Sequence, residues 1–166
     1  VLPFQFTDTA DTLMRYVVEL EKLAESTKDS KVDMKPVRNA IEALRQAGQA
    51  SEKAFSALPK QNTAQLLGRR ELQQLNKLLL TSEQKLGNTE GLPRREWFKH
   101  QMYAPGFYTG YGVKTLPMLR EGIEESQWAE ARAAVPATAG TLDALAGQID
   151  KAAAALGRVT ARQAPS

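Results

Sequence analysis

A chain of 166 residues with 42% hydrophobic and 25% charged residues is long enough for one domain with a real core, and these values argue against disorder and against a membrane class. The absence of cysteine excludes disulfides and thiolate metal sites, and a single histidine excludes a multi-histidine zinc site. The net charge of +3 comes from 22 basic and 19 acidic residues interleaved nearly throughout, which predicts a mixed-charge solvated surface and no nucleic-acid partner.

The start, Val1, Leu2, Pro3 and Phe4, has neither the basic lead nor the cleavage site of a signal peptide. Thr7 or Asp8 is placed to cap a first helix, in which Leu13, Tyr16, Val17, Leu20, Leu23 and Ala24 follow the three-then-four spacing of one buried stripe. That helix is expected to end near Lys28. Lys28, Lys31, Lys35 and Arg38 are the nearest approach to a basic patch, and Asp29 and Asp33 interrupt it. Pro36 is tolerable in the first turn of a second helix, whose stripe runs Val37, Ala40, Ile41, Leu44, Ala47, Ser51, Phe55 and Leu58 until Pro59 limits it. Asn62 or Thr63 is placed to cap a third helix, dense in leucine from Leu66 to Leu86 and therefore expected to be central, with Gly87 as a left-handed stop.

After a long connection, Leu116 and Pro117 lead into a short helix with Leu119 and Ile123, and Ser126 is placed to cap its successor. The last stripe runs Trp128, Ala131, Val135, Ala139, Leu142, Leu145, Ile149, Ala152 and Leu156, with a kink expected at Pro136. Its many small residues, among them Gly140, Ala144 and Gly147, would let another helix approach closely. No strand-like alternation lasts more than a few residues. The sum is an all-α, four-helix bundle with a long ordered loop and a short extra helix between the third and fourth long helices. The domain is expected to occupy residues 1–157, and 158–166 to be a disordered tail.

Function is to be sought in residues 91–117, because connections this long are uncommon in compact domains unless they serve a purpose, and the aromatic content argues against disorder. His100 has only Glu96 as an evident local partner, so a structural histidine is expected in place of a general base. The aromatics Trp97, Phe98, Phe107 and Tyr108 either stack on a ligand or anchor the loop to its own core. Tyr111 differs, since Gly110 and Gly112 flank it and allow its phenol to be presented outward to a carboxylate or amide. Lys114 and Arg120 are cations near that phenol in sequence. The acidic pairs Glu19 with Glu21 and Glu124 with Glu125 read as solvated faces, and no phosphate-binding loop, metal-ligand helix or nucleophile elbow is present.

These residues together resemble the transferrin receptor-like dimerisation domain, the C-terminal helical domain of the glutamate carboxypeptidase II and transferrin receptor group. The resemblance covers nearly the whole chain. It rests on Val1 to Phe4, the turn Gly91, Leu92, Pro93, Arg94, the stretch Lys99, His100 to Tyr103, Ala104, Pro105, then Tyr111, the Leu116 and Pro117 helix start, Trp128 and the alanine-rich last helix. It implies that Gly91, Pro93, Arg94, His100, Tyr103 and Pro105 structure the loop. It also implies a homodimer, and a larger parent chain with apical and M28-type zinc peptidase domains whose active site the loop walls.

By resemblance this chain holds no catalytic residue, metal or cofactor of its own, and the zinc belongs to the missing peptidase domain. In the glutamate carboxypeptidase branch a lysine and a following tyrosine hold the substrate's terminal glutamate. Tyr111 falls on that tyrosine, Gly110 stands at the lysine position, and Lys114 is the cation placed to compensate. Thr115, Leu116 and Pro117 are closer to the receptor branch, which has lost peptidase activity. The alternatives are therefore a domain of such a receptor-like homologue, or a stand-alone helical adaptor or ligand-binding bundle. An extracytoplasmic setting is implied by the resemblance alone.

Overall fold

In a computed structural model, which describes residues 5–27, 32–58, 68–108, 110 and 112–161, the chain is an all-α bundle with one elaborated connection. The long helices are α1 (Phe6–Glu25), α2 (Lys35–Ser56), α3 (Arg69–Leu80) and α5 (Trp128–Ala161). Between α3 and α5 come a 3-10 turn (Glu83–Leu86), strands β1 (Tyr103–Pro105) and β2 (Val113–Thr115), and the short α4 (Pro117–Glu124). Val1 to Phe4, Lys28, Lys31, Pro59, Asn62, Thr63 and Tyr111, all invoked above, lie outside the described residues.

Helical period places the core. Leu13, Val17 and Leu20 of α1, Val37, Ile41 and Leu44 of α2, and Leu142, Leu145 and Ile149 of α5 are buried in one cluster. Each such side chain contributes roughly 1.5–3 kcal/mol by leaving water. The first turn of α1 is capped differently from expectation: no side chain within the helix caps it, and the Thr7 backbone N–H donates to Glu52 Oε1 of α2 at 3.2 Å, with the Thr7 hydroxyl on the same oxygen. Gly48 makes that approach possible, since a Cβ there would sit 2.9 Å from the Thr7 nitrogen.

The central helix is α5, which packs on α2, α4, α3 and the 3-10 turn. The leucine-rich α3, expected at the centre, lies to one side and leaves Leu80 69% exposed. Alanine explains the exchange, because Ala131, Ala134, Ala139, Ala146 and Ala152 let neighbours reach the α5 backbone from several directions. The helix passes through Pro136 and continues to Ala161 with Val159 buried, beyond the boundary expected at 157.

Two further expectations fail on backbone geometry. Gly87 is extended (φ −92°, ψ 138°) and pairs with His100, so it is no left-handed stop; α3 has already ended at Leu80. Ser126 adopts φ 55° and ends α4, with its N–H on Ile123 O at 3.1 Å and that of Gln127 on Gly122 O at 2.7 Å. This is the paired-bond C-terminal motif usually built on glycine.

Candidate functional site

The connector from Gly87 to Leu116 has two lobes. In the first, residues 86–92 fold back on 98–101 through backbone bonds: Gln101 N–H to Leu86 O at 2.8 Å, Asn88 N–H to Lys99 O at 2.8 Å, and Leu92 N–H to Phe98 O at 2.9 Å. Gly91 is required at the bend. Its φ is +80°, and a Cβ would fall 2.6 Å from the Glu96 carbonyl carbon. Pro93 and Arg94 form the adjoining turn, with Arg94 itself left-handed at φ 62°.

The second lobe is a hairpin that the sequence patterning did not announce, its strands being three residues each. Tyr103 pairs with Thr115, Ala104 with Lys114 and Pro105 with Val113. At its tip Gly106 N–H donates to Gly112 O at 2.8 Å and Gly110 N–H donates to Gly106 O at 3.1 Å. The hairpin leads into α4 through Leu116, left-handed at φ 48°, followed by Pro117 in the first helical turn.

A buried ion pair joins the lobes. Arg95 and Glu121 are 4% and 5% exposed, and Arg95 Nη2 donates to Glu121 Oε2 at 2.6 Å. Arg95 Nη1 donates to Pro105 O, while Glu121 Oε1 accepts the Phe107 N–H at 2.8 Å. The Arg95 guanidinium also lies 5.5 Å from the Phe98 ring centroid and 5.7 Å from that of Phe107. Neither residue was singled out from sequence. The one available signal was an acidic residue inside an apolar turn, between Leu119 and Ile123, and its partner lies 26 positions away.

Arg94 braces the outside, donating to Glu125 at 3.0 Å and Glu130 at 3.4 Å and lying 4.9 Å over the Phe107 ring. Burial works against its charge, but the hydrogen bond to Glu125 and the charges of Glu125 and Glu130 outweigh that and raise its pKa. His100 Nδ1 accepts the N–H groups of Met102 at 3.3 Å and Tyr103 at 3.2 Å, and its ring stacks on Tyr103. With Nδ1 so occupied, a neutral imidazole carries its proton on Nε2. The Tyr103 hydroxyl lies 3.4 Å from that of Tyr16 on α1. Burial and that contact push its pKa up to about 12.

Lys114 Nζ is ion-paired with Glu124 at 2.7 Å, and Arg120 ties Thr115 O and Oγ1 to Glu19. All four glutamates of the acidic pairs meet a base, since Glu21 also pairs with Arg38. Trp97 and Tyr108 are 73% and 75% exposed and Phe107 lies partly open beneath Arg94, while buried Leu92, Met102, Ala104 and Leu116 anchor the connector. Below it a cleft of about 420 Å³ opens between α1 and the 3-10 turn, lined among others by Asp8, Thr12, Glu83, His100, Met102 and Tyr103.

No group of three or more histidine, cysteine or acidic residues that could hold a metal ion occurs among the described residues. Among them, no helix is long and apolar enough to cross a membrane. An all-α bundle carrying one arginine-braced connector is thus the class that the fold defines. The chain matches the transferrin receptor-like dimerisation domain family over residues 32–157, and it belongs to that family.

Its curated relatives include two from Arabidopsis thaliana. One is probable glutamate carboxypeptidase LAMP1, 28% identical over 131 residues, or 76% of this chain and 17% of that protein. The other is probable glutamate carboxypeptidase AMP1, 31% identical over 147 residues, or 80% of this chain and 20% of that protein. A probable glutamate carboxypeptidase of Arthroderma benhamiae is 26% identical over 124 residues, or 75% of this chain and 16% of that protein. The chain spans about a fifth or less of the length of these relatives.

Proposed function

We propose that this chain is the C-terminal dimerisation and active-site-supporting domain of a glutamate carboxypeptidase-like zinc exopeptidase, not catalytic alone, with residues 91–117 walling the parent's substrate pocket. The observation that carries the reading is the match itself: three relatives named as probable glutamate carboxypeptidases align through this one segment and through a fifth or less of their length. Zinc, in this reading, is held by the parent's peptidase domain.

The connector suits the role because buried Met102 and Leu116 root it in the core while Trp97 and Tyr108 stay exposed. Tyr111 is the residue assigned to the substrate's terminal carboxylate. Gly110 leaves the lysine position empty, and Lys114 would serve instead only by exchanging Glu124 for substrate. A phenol without a fixed cation offers one hydrogen bond and no charge. A side chain at Gly110 would meet no atom within 4 Å, although its φ of 61° is costly for residues other than glycine. Gly110→Lys is therefore expected to raise the preference for C-terminal glutamate in the full-length enzyme.

Self-association follows from membership of the family, and the outer face of α5 is proposed to provide it. Ala133, Pro136, Gly140 and Ala144 are exposed there, and a Cβ added at Gly140 would meet nothing within 4 Å. Hydrolysis of C-terminal glutamyl and neutral peptides by the full-length protein and its Tyr111→Phe variant tests the pocket role, and sedimentation of Gly140→Leu tests the dimer face. A variant with unchanged KM and selectivity would reject the wall, and an undiminished dimer would reject the face.

A further inference from the structure

We infer that Glu121 and Arg95 are positioning residues for substrate recognition: they hold Pro105 and Phe107 at the base of the hairpin tip and touch no substrate themselves. The inference rests on the pocket-wall reading above. Glu121 divides its carboxylate between two tasks, with Oε2 on Arg95 at 2.6 Å and Oε1 on the Phe107 N–H at 2.8 Å. Arg95 in turn holds Pro105 O. The residues so fixed, Pro105 and Phe107, flank Gly106, whose N–H and carbonyl bond Gly112 and Gly110, the two neighbours of Tyr111. A continuous chain of contacts therefore runs from α4 to Gly110 and Gly112.

Stability alone is a poor reason for such a pair. Buried ion pairs often do no better than apolar residues of the same size, and this one leaves Arg95 Nε buried without a partner. What the pair supplies is a directed anchor for a hairpin tip whose exposed ring, Tyr108, gives it little burial. A hydrogen bond to a substrate carboxylate weakens steeply with distance and angle, so an anchor of this kind has a return in binding.

Three variants of the full-length enzyme separate positioning from folding. Glu121→Gln keeps an acceptor for the Phe107 N–H but leaves the Arg95 charge buried and unpaired, so it is expected to lower the thermal midpoint while KM for a C-terminal glutamyl peptide stays near wild type. Arg95→Met with Glu121→Met removes both charges and the Phe107 acceptor. It is expected to move the midpoint by about 4 °C or less and to raise KM about tenfold with kcat unchanged. Tyr111→Phe reports on the underlying reading.

A KM that rises with Tyr111→Phe and with the double variant, but not with Glu121→Gln, upholds the inference. A KM that rises with Tyr111→Phe alone, or that follows the order of thermal midpoints, overturns it and leaves the pocket wall standing. A KM unchanged by Tyr111→Phe removes both.

Discussion

The bundle and the connector are held by different physics. In the bundle, side chains such as Leu13, Ile41, Leu142 and Ile149 are interchangeable in kind, because burial is proportional to apolar area and has no direction. In the connector the burial of Leu92, Met102, Ala104 and Leu116 is joined by individual directed contacts: the Gly91 bend, the His100 bonds to two backbone N–H groups, the Arg94 brace and the Arg95 to Glu121 pair. Contacts made by area tolerate substitution in kind, and contacts made by direction do not. That contrast suits a scaffold that carries a precisely placed surface.

The largest effect that would sharpen the contrast is expected from Glu121→Ala. Removing one partner strands the Arg95 charge, at a cost of about 3–5 kcal/mol, visible in chemical denaturation of the full-length protein. Gly91→Ala should follow, since its left-handed backbone costs about 1–2 kcal/mol for an alanine and the crowded Glu96 carbonyl adds a packing penalty. Leu142→Met in the bundle, although fully buried, should cost less than about 1.5 kcal/mol. A methionine as damaging as either connector variant would break the contrast.

Much of the bundle was legible because helical period survives in one dimension. Leu13, Val17, Leu20, Val37, Ile41, Leu44, Leu142, Leu145 and Ile149 recur at the spacing of a single face, and each is buried. The identity of the central helix was not legible, since leucine density measures appetite for burial, whereas centrality depends on how closely several neighbours approach, which alanine decides. In the connector the Gly91 turn could be seen because glycine and proline act locally. The hairpin could not, its strands being too short for alternation to register. Nor could the Arg95 to Glu121 pair, which exists only once α4 has packed.

The smallest predicted effect concerns the join between the two regions. The Tyr103 hydroxyl, raised from about 10 to about 12 by burial and by Tyr16, holds its proton more tightly in the folded chain. Stability from this group is therefore constant below pH about 10 and falls as pH rises towards 12. Because Tyr103 is 39% exposed the loss should be slight, and Tyr103→Phe should abolish that component of the pH profile.

The most direct test of the account is a crystal structure of the full-length protein with a C-terminal glutamate analogue bound. The account predicts the connector facing the peptidase domain, with the Tyr111 hydroxyl at about 2.5–3.0 Å from a ligand carboxylate oxygen. A connector turned to solvent, with the analogue held entirely by other domains, would contradict it.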